Sequence, residues 1–450
     1  MFKTISSKYI VLLLAFFSVY QVNSQSRFEL KGKAKKQTIS FKLLSNLIVF
    51  PIEVNGKELN FILDSGVGST ILFNLNTNDS ISLNNLKKRK IQGLGSEDAV
   101  DAILSSSNTF KLKNLRGNNQ ALYVVYDDSF DLSSKLGITV HGIIGYELLK
   151  DFVVKISYGA KKITFFDREF YDDDVCNKCE VFDLQFYGNK PYLNAGVQLE
   201  SYKTETPVKL LIDSGGSDAM WLFEGSHPDL VSPKKFFIDF LGEGLSGTIY
   251  GKRTFIESLN LGRFKLKRPS VSYPDSLAII QARKFETRNG SLGASILKRF
   301  VVTFDYGNKR LILKKGKDYN KPFRYNMSGI ELVHNGKILV KERDNKMATF
   351  GFSNASASED RNTVVLNYNY KYTFKNTYKI FKLREESPAH RAGLMKDDII
   401  IKINGKYTFD MPLEEITERF YQREGTKVSV LVERLGQNYE YSFKLENILK

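Results

Sequence analysis

The chain contains 450 residues, of which 42% are hydrophobic and 13% are aromatic. This composition excludes a disordered polypeptide, and the length predicts two to four globular domains. The formal net charge of +16 includes basic runs at residues 31–36, 86–90 and 309–317. Such scattered charge favours solubility, or contact with an anionic envelope surface or an acidic partner, over nucleic-acid binding.

Residues 1–24 have the pattern of a signal peptide. Lys3 and Lys8 precede the apolar run YIVLLLAFFSVY, and small or neutral residues follow as far as Ser24. The run is short for a membrane span, so the pattern predicts cleavage after Ser24 and export of a bacterial protein to the periplasm or the medium. A retained membrane anchor is the alternative.

The next region reads as strands that lead to an Asp-Ser-Gly sequence. The stretch LIVFPIEVNGKELNFIL (47–63) alternates apolar and polar residues around Asn-Gly, which predicts a β-hairpin, and Asp64, Ser65 and Gly66 follow it. Further along, YELLKDF (146–152) predicts a short helix and KISYGAKKITFF (155–166) a second hairpin. These elements predict a small β-barrel-like lobe with one late helix.

A second copy of the same unit follows. A shift of 149 residues aligns FILDSGVGST (61–70) with LLIDSGGSDA (210–219), and aligns 93–95 with 242–244. A shift of 148 residues aligns 141–165 with 289–313, including the short helix and the hairpin. Markers in the same order and at the same spacing indicate two lobes of about 130 residues each. We assign these lobes to residues 38–168 and 180–316.

The duplication gives the Asp-Ser-Gly sequences a chemical meaning. Two lobes that face each other across a pseudo-twofold axis bring Asp64 and Asp213 together, and two carboxyls in one site hold a shared proton. The charged carboxylate can draw a proton from a water while the protonated one polarises a peptide carbonyl, without a metal, a cofactor or a covalent intermediate. The supporting residues are Ser65 and Ser214, whose hydroxyls can link the two loops, and Gly66 and Gly215, which present N–H groups to the carboxylates. A mobile flap over the cleft is predicted at Gly93, Gly95, Gly242 and Gly244, where an ordinary hairpin turn is the alternative.

These residues resemble the catalytic loops of aspartic proteases. The lobes are similar to the retropepsin-like bacterial branch of that family, fused in tandem as in pepsin-type enzymes. The resemblance covers residues 38–316 and implies an endopeptidase whose catalytic pair is Asp64 and Asp213, with a peptide or protein substrate extended between the lobes. The commonest family sequence has Thr after each aspartate, whereas this chain has Ser. The alternative function is a catalytically inactive peptide-binding or scaffold protein of the envelope.

Other hydrolase classes fit the sequence less well. The four histidines have no paired metal-ligand spacing, so a metal site is not predicted. A serine hydrolase built on Ser65 or Ser214 lacks the Gly-x-Ser-x-Gly sequence and an evident base. Glycosidases also use two carboxylates, but their chemistry does not ask for duplicated Asp-Ser-Gly loops.

The last part of the chain has a different pattern. Cys176 and Cys179 lie in an acidic linker after the first lobe, where we expect a local disulfide.

Residues 322–450 resemble a PDZ domain in SPA (387–389), AGL (392–394), DDII (397–400) and NG (404–405). The resemblance implies capture of an extended peptide as an added strand. Structural packing of this domain against the protease lobes is the alternative. The candidate carboxylate-binding loop is Ser328, Gly329, Ile330, Glu331 and Leu332, although an unusually long stretch separates it from Tyr378. The predicted fold class is therefore mainly β: two tandem pseudo-symmetric aspartic-protease-like β-barrel lobes followed by an α+β PDZ domain.

Overall fold

The computed structural model describes residues 26–73, 75, 81–126, 132–172, 176, 178–200, 204–353 and 363–449, without the side chains of 344–353 and 363–369. The predicted leader, 1–24, lies outside these residues. No helix in the described ranges is long and apolar enough to span a membrane. The structure is mainly β, as predicted.

Lobe 1 is built around a mixed sheet that contains the predicted first hairpin. Its two strands, Leu47–Val54 and Lys57–Leu63, turn at Asn55 and Gly56, which both have positive φ, as an Asn-Gly hairpin requires. The strands of this lobe are β1 Arg27–Leu30, β2 Lys36–Ser40, β3 Lys42–Leu44, β4 Leu47–Val54, β5 Lys57–Leu63, β6 Ile71–Leu72, β7 Lys87–Ile91, β8 Val100–Leu112, β9 Leu115–Val125, β10 Gly142–Ile144, β11 Val153–Ser157 and β12 Lys162–Phe166. Its helices are α1 Leu132–Leu136 and α2 Tyr146–Leu149, with a 3₁₀ turn at Arg168–Phe170.

Lobe 2 repeats this plan. In both lobes a parallel pair forms the centre of the sheet, β5 with β10 in lobe 1 and β16 with β23 in lobe 2. The strands of lobe 2 are β13 Cys179–Asp183, β14 Gln185–Tyr187, β15 Lys190–Gln198, β16 Thr206–Asp213, β17 Met220–Leu222, β18 Phe237–Gly244, β19 Gly247–Phe255, β20 Ser258–Leu261, β21 Phe264–Lys267, β22 Ser270–Pro274, β23 Gly290–Gly293, β24 Phe300–Asp305 and β25 Arg310–Lys315. Its helices are α3 Ile280–Arg283 and α4 Ala294–Leu297, and a 3₁₀ turn spans Ser276–Ile279. The helix predicted at YELLKDF corresponds to α2, and its aligned copy in the second lobe corresponds to α4.

A six-stranded sheet joins the two lobes. Its order is β13-β25-β24-β11-β12-β2, so each lobe contributes strands to one antiparallel surface. At its centre Lys155 of β11 pairs with Thr303 of β24, which is its own equivalent in the second copy. The pseudo-twofold axis therefore passes through this pair of strands. A continuous apolar core extends through both lobes, with Ile156 and Val302 fully buried in it.

The C-terminal domain begins with an extended hairpin. Its strands are β26 Ile330–Ser353, β27 Thr363–Leu383, β28 Ile399–Ile403, β29 Lys406–Tyr407, β30 Lys427–Arg434 and β31 Gln437–Lys444. Its helices are α5 Pro388–Arg391 and α6 Leu413–Glu418, with 3₁₀ turns at Thr408–Asp410 and Arg419–Tyr421. The long stretch before Tyr378 is thus mostly two paired antiparallel strands, β26 and β27.

This domain packs against lobe 2. Phe237 of β18 belongs to the apolar core of the C-terminal domain, where its ring lies 5.0 Å from the ring of Tyr325. The Lys382 ammonium lies 3.8 Å from the centre of the Phe240 ring and donates to the Tyr250 hydroxyl at 2.9 Å. The β18–β19 hairpin is consequently held on one side by β27. The Cys176–Cys179 disulfide is present in the linker between the lobes.

Candidate active site

The two Asp-Ser-Gly loops follow equivalent buried strands. Asp64 comes directly after β5, and its backbone N–H donates to the Ile144 carbonyl of β10 at 2.9 Å. Asp213 is the last residue of β16 and pairs in register with Gly293 of β23. Because both strands are buried among apolar side chains, the first polar residue of each loop is fixed at the interface of the lobes.

The two serines link the loops by reciprocal hydrogen bonds. The Ser65 hydroxyl accepts from the Ser214 N–H at 3.0 Å and donates to the Ile212 carbonyl at 2.7 Å. The Ser214 hydroxyl accepts from the Ser65 N–H at 2.9 Å and donates to the Leu63 carbonyl at 2.9 Å. Both serines are fully buried, so these four bonds lie away from water. Each hydroxyl therefore acts both as a donor and as an acceptor of a hydrogen bond.

The paired carboxyls share one small space. Gly66 donates to Asp64 at 2.7 Å, while Gly215 and Gly216 donate to Asp213 at 3.1 and 2.8 Å. The two carboxyls lie close together, since a Cβ on Gly66 would lie 3.1 Å from carboxyl atoms of both. Burial and the charge of Asp213 raise the pKa of Asp64 from 3.8 to about 7. Burial also raises the pKa of Asp213, although the Arg288 guanidinium opposes this rise. This environment favours a single shared proton at neutral pH.

Both carboxyls lie in a cavity of about 690 Å³ that runs between the lobes. The predicted flap residues Gly93, Gly242 and Gly244 line it as well, whereas Gly95 does not. Chemistry-bearing side chains that line the cavity are Lys135, Lys190, Tyr192, Asp218, Glu243, Arg253, Arg288, Ser291 and Glu331. In the ranges that the structure describes, no three His, Cys, Asp or Glu side chains are grouped so that they could hold a metal ion.

The two predicted flaps meet each other above the carboxyls. The Ser246 N–H donates to the Leu94 carbonyl at 2.9 Å, and the Glu97 N–H donates to the Ser246 carbonyl at 3.0 Å. Gly95 has a φ of +124°, and a Cβ there would overlap the Ser246 carbonyl. A Cβ on Gly244 would overlap the Leu94 carbonyl in the same way. Glycine is therefore required where the two tips cross.

The C-terminal domain forms one wall of the same cavity. Leu332 and Val333 of β26 and Leu413 and Thr417 of α6 line it, together with Glu331. Helix α1 of lobe 1 packs against β26. Sequence reasoning did not find this wall, because no local pattern indicates which surface of the C-terminal domain faces the lobes.

The predicted carboxylate-binding loop, residues 328–332, is largely buried and its first N–H groups are already used. The Ser328 and Gly329 N–H groups donate to the Asn326 side-chain carbonyl at 3.0 and 3.3 Å, and the Ile330 N–H donates to the Ser328 hydroxyl at 3.0 Å. Burial, followed by the charge of Asp239, raises the pKa of Glu331 to about 7. In this conformation the loop does not offer those three N–H groups to a ligand, and its role stays a prediction.

Sequence reasoning also missed Lys190 and Arg288. Both line the cavity beside the carboxyls, and both act on the pKa of Asp213. The sequence shift of 148 residues also sets Arg288 against Val140, so a signal for Arg288 was present. Lys190 is equivalent to an apolar residue only by strand pairing in the folded lobes.

Comparison with known proteins supports both parts of the predicted architecture. Residues 50–148 match the family model described as aspartyl protease, and residues 382–434 match that of the PDZ domain. The resemblance predicted from the sequence is confirmed by these two matches, and so is the mainly β fold class with its PDZ domain.

Individual relatives are more distant. A crystal structure of an aspartic proteinase from Irpex lacteus is similar with a TM-score of 0.43 and 12% identity, covering 64% of this chain and 99% of that one. A probable CtpA-like serine protease of Staphylococcus saprophyticus is 36% identical over 73 residues, 16% of this chain and 15% of its own length. A protein of the same description from Staphylococcus haemolyticus is 32% identical over 60 residues, 13% of this chain and 12% of its own length. The chain thus spans less than a sixth of either curated relative.

Proposed function

We propose that this protein is an exported aspartic endopeptidase in which Asp64 and Asp213 form one catalytic pair. The observation that carries the proposal is the meeting of two equivalent Asp-Ser-Gly loops in one cavity, where a Cβ on Gly66 would lie 3.1 Å from carboxyl atoms of both Asp64 and Asp213. The match of residues 50–148 to aspartyl proteases supports the same reading.

The roles of the two carboxyls follow from one shared proton. Burial raises the pKa of both, to about 7 for Asp64, and the Arg288 charge opposes this rise at Asp213, so we take Asp213 as the ionised member of the pair. Asp213 then takes a proton from a water that lies between the carboxyls, and protonated Asp64 donates to the oxygen of the substrate carbonyl. Water adds to the carbonyl carbon and gives a gem-diol. Asp213 then passes the proton that it took from water to the nitrogen of the leaving amine, and Asp64 takes a proton back from a diol hydroxyl as the C–N bond breaks and the new carboxyl group forms. No covalent enzyme intermediate forms on this route.

A serine mechanism has less support. A match limited to 16% of this chain cannot contain both Asp-Ser-Gly loops, which lie 149 residues apart. Ser65 and Ser214 are buried, and each hydroxyl donates to a backbone carbonyl instead of to a base. These contacts favour a structural role for both serines.

The PDZ domain is proposed to bind peptide beside the catalytic cavity. Its strand β26 and helix α6 contribute to the wall of that cavity, so a peptide held there would reach the carboxyls without leaving the protein. The site of action would be the periplasm or the medium, as the leader pattern predicts, and the basic surface would face the anionic envelope.

The test is cleavage of a mixed peptide library by residues 25–450 between pH 3 and pH 8. We expect cleavage that falls at least about a hundredfold in both Asp64→Asn and Asp213→Asn, with a statine-type inhibitor as a second probe. Equal cleavage by the wild type and both variants would contradict the proposal. A folded wild type that binds peptides but cleaves none at any pH would favour the alternative, an inactive peptide-binding protein of the envelope.

A further inference from the structure

The two halves of the cleft have equivalent backbones but opposite chemistry. The equivalence follows from strand pairing: Gly142 pairs with Phe61 in lobe 1, and Gly290 pairs with Leu210 in lobe 2. Likewise, Val49 pairs with Ile62 just as Tyr192 pairs with Leu211. Residues of the two lobes can therefore be compared position by position at the cleft.

Four equivalent positions change from apolar in lobe 1 to polar or cationic in lobe 2. In lobe 1 these positions belong to one apolar cluster. The equivalent pairs, lobe 1 first, are Leu47 and Lys190, Val49 and Tyr192, Val140 and Arg288, and Ile143 and Ser291. Of these, Leu47, Ile143 and all four lobe-2 residues line the cavity that contains the catalytic carboxyls.

Arg288 is held in place by neutral groups. Its side chain is 4% exposed, and it donates to the Gly290 carbonyl at 3.1 Å and to the Ser291 hydroxyl at 2.7 Å. Its guanidinium also lies 5.9 Å from the centre of the Tyr192 ring and 5.1 Å from the centre of the Phe223 ring. Within the described ranges it forms no ion pair. Its charge acts on Asp213, but no carboxylate oxygen lies within ion-pair distance of it in the described ranges. A buried guanidinium without such a direct pair is costly, which is consistent with a site completed by an anionic ligand.

Lys190 lies at the cavity surface at the start of β15. It is partly buried, and none of the residues that the structure describes forms a hydrogen bond or an ion pair with its ammonium. Its turn contacts the opposite lobe, since a Cβ on Gly68 would meet Asn189 at 3.4 Å. The ammonium is therefore free to meet a ligand that enters between the lobes.

The other charged side chains of the cavity wall do not neutralise the positive charges of Lys190 and Arg288. Lys135 pairs with Glu243 at 2.5 Å, and Arg253 pairs with Asp218 at 3.0 Å. Glu331 is buried on the opposite wall, where its environment favours the protonated form below neutral pH. A catalytic pair with one shared proton carries one negative charge, against the two positive charges of Lys190 and Arg288. The lobe-2 half thus has a surplus of one positive charge.

We propose that the lobe-2 half of the cleft, lined by Lys190, Tyr192, Arg288 and Ser291, binds a carboxylate of the substrate, while the lobe-1 half binds an apolar side chain. This inference rests on the proposed endopeptidase function and names its substrate class. The carboxylate has two sources: an aspartate or glutamate side chain near the scissile bond, or the C-terminus of the peptide. Lys190 is a specificity-determining residue in this scheme, and Arg288 holds the base of the site.

The test uses quenched fluorescent peptides at about pH 6, where a glutamate side chain is ionised. Each peptide carries Glu, Gln or Leu at one position along a common sequence, and a parallel set ends in a free carboxylate or an amide. We expect kcat/KM to be at least about tenfold higher for Glu than for Gln at one position. The free energy of a hydrogen bond to a charged group corresponds to a ratio of at least about that size. The same ratio between acid and amide termini would assign the site to a terminal carboxylate.

Variants connect the preference to the site. Lys190→Gln should reduce the Glu-to-Gln ratio to near one, mainly through KM, and Lys190→Glu should shift the preference towards a Lys peptide. Lys267→Gln, at an exposed lysine of the same lobe that does not line the cavity, should leave the ratio unchanged. Melting temperatures of all variants separate a changed preference from a folding defect.

The outcomes distinguish this inference from the proposed function. Cleavage of Glu and Gln peptides at equal rates would overturn the inference and leave the endopeptidase standing, as would a ratio that Lys190→Gln does not change. If the wild type cleaves nothing, the endopeptidase fails, and fluorescence anisotropy of the same peptides then tests the cleft. Equal affinity for Glu and Gln peptides would overturn the carboxylate site, and a tenfold preference lost in Lys190→Gln would support it.

Discussion

Removal of the Ser65 hydroxyl should destabilise the two lobes by about as much as removal of the Ser214 hydroxyl. The Ser65 hydroxyl makes bonds of 2.7 and 3.0 Å to the backbone of the Asp213 loop and its strand, and Ser214 makes two bonds of 2.9 Å to the backbone of the other. Each alanine variant loses two buried hydrogen bonds and leaves an N–H and a carbonyl without partners. The expected cost is about 2–4 kcal/mol per variant.

Differential scanning calorimetry can measure this cost. For lobes of this size, Ser65→Ala and Ser214→Ala should each lower the Tm by about 4–12 °C, and Ser65→Thr should lower it less because the hydroxyl is kept. Ser40→Ala, at an exposed serine of the interlobe sheet, is the matched control. A Tm within about 1 °C of the wild type in either alanine variant would refute the reasoning, since the buried groups would then have found other partners.

Three further predictions concern pH and the flap. The value of kcat/KM should fall as pH rises through about 7, the pKa of Asp64, because the pair then loses its shared proton. Lys190→Gln should move this fall to higher pH, because the Lys190 ammonium lowers the pKa of Asp64. A pH–rate profile that is flat to about pH 9 would argue against the shared proton. Gly95→Ala should abolish most peptide cleavage, because the added Cβ would separate the two flap tips. Gly56→Ala, at a glycine with positive φ and open space around it, should only reduce stability. Equal activity of the two variants would show that cleavage does not need the contact between the flap tips. Asp305→Asn should lower the stability of the interlobe sheet in urea titrations. Despite burial, neighbouring hydrogen bonds lower the pKa of Asp305, so the stabilising effect of its carboxylate is present above about pH 4 and disappears below it. A loss of stability of equal size at about pH 2 would exclude this explanation.

Much of the fold could be predicted because the sequence contains two copies of the same structural unit. An Asn-Gly turn requires positive φ, which Asn and Gly adopt easily, so the hairpin at Asn55 and Gly56 follows from local chemistry. The meeting of Asp64 and Asp213 follows from the repeat, because equivalent loops of two like lobes face each other. Their catalytic role remains a proposal.

The parts that could not be predicted depend on contacts between domains. Nothing local shows that β26 of the PDZ domain lines the cavity, or that the flap tips bond to each other through Ser246. Lys190 reads as one basic residue among many, and Arg288 as a surface charge, until strand pairing in the folded lobes sets them against Leu47 and Val140. The proposed role of the two cations therefore depends on comparing the lobes as folded equivalents.

The most direct test of the central claim is a double-mutant cycle on the best peptide substrate. We would measure kcat/KM for the wild type, Asp64→Asn, Asp213→Asn and the double variant. If the two carboxyls act as one unit, each single variant loses nearly all activity and the double variant loses no more than either single one. Losses that multiply in the double variant, or substantial activity in either single variant, would contradict a shared catalytic pair.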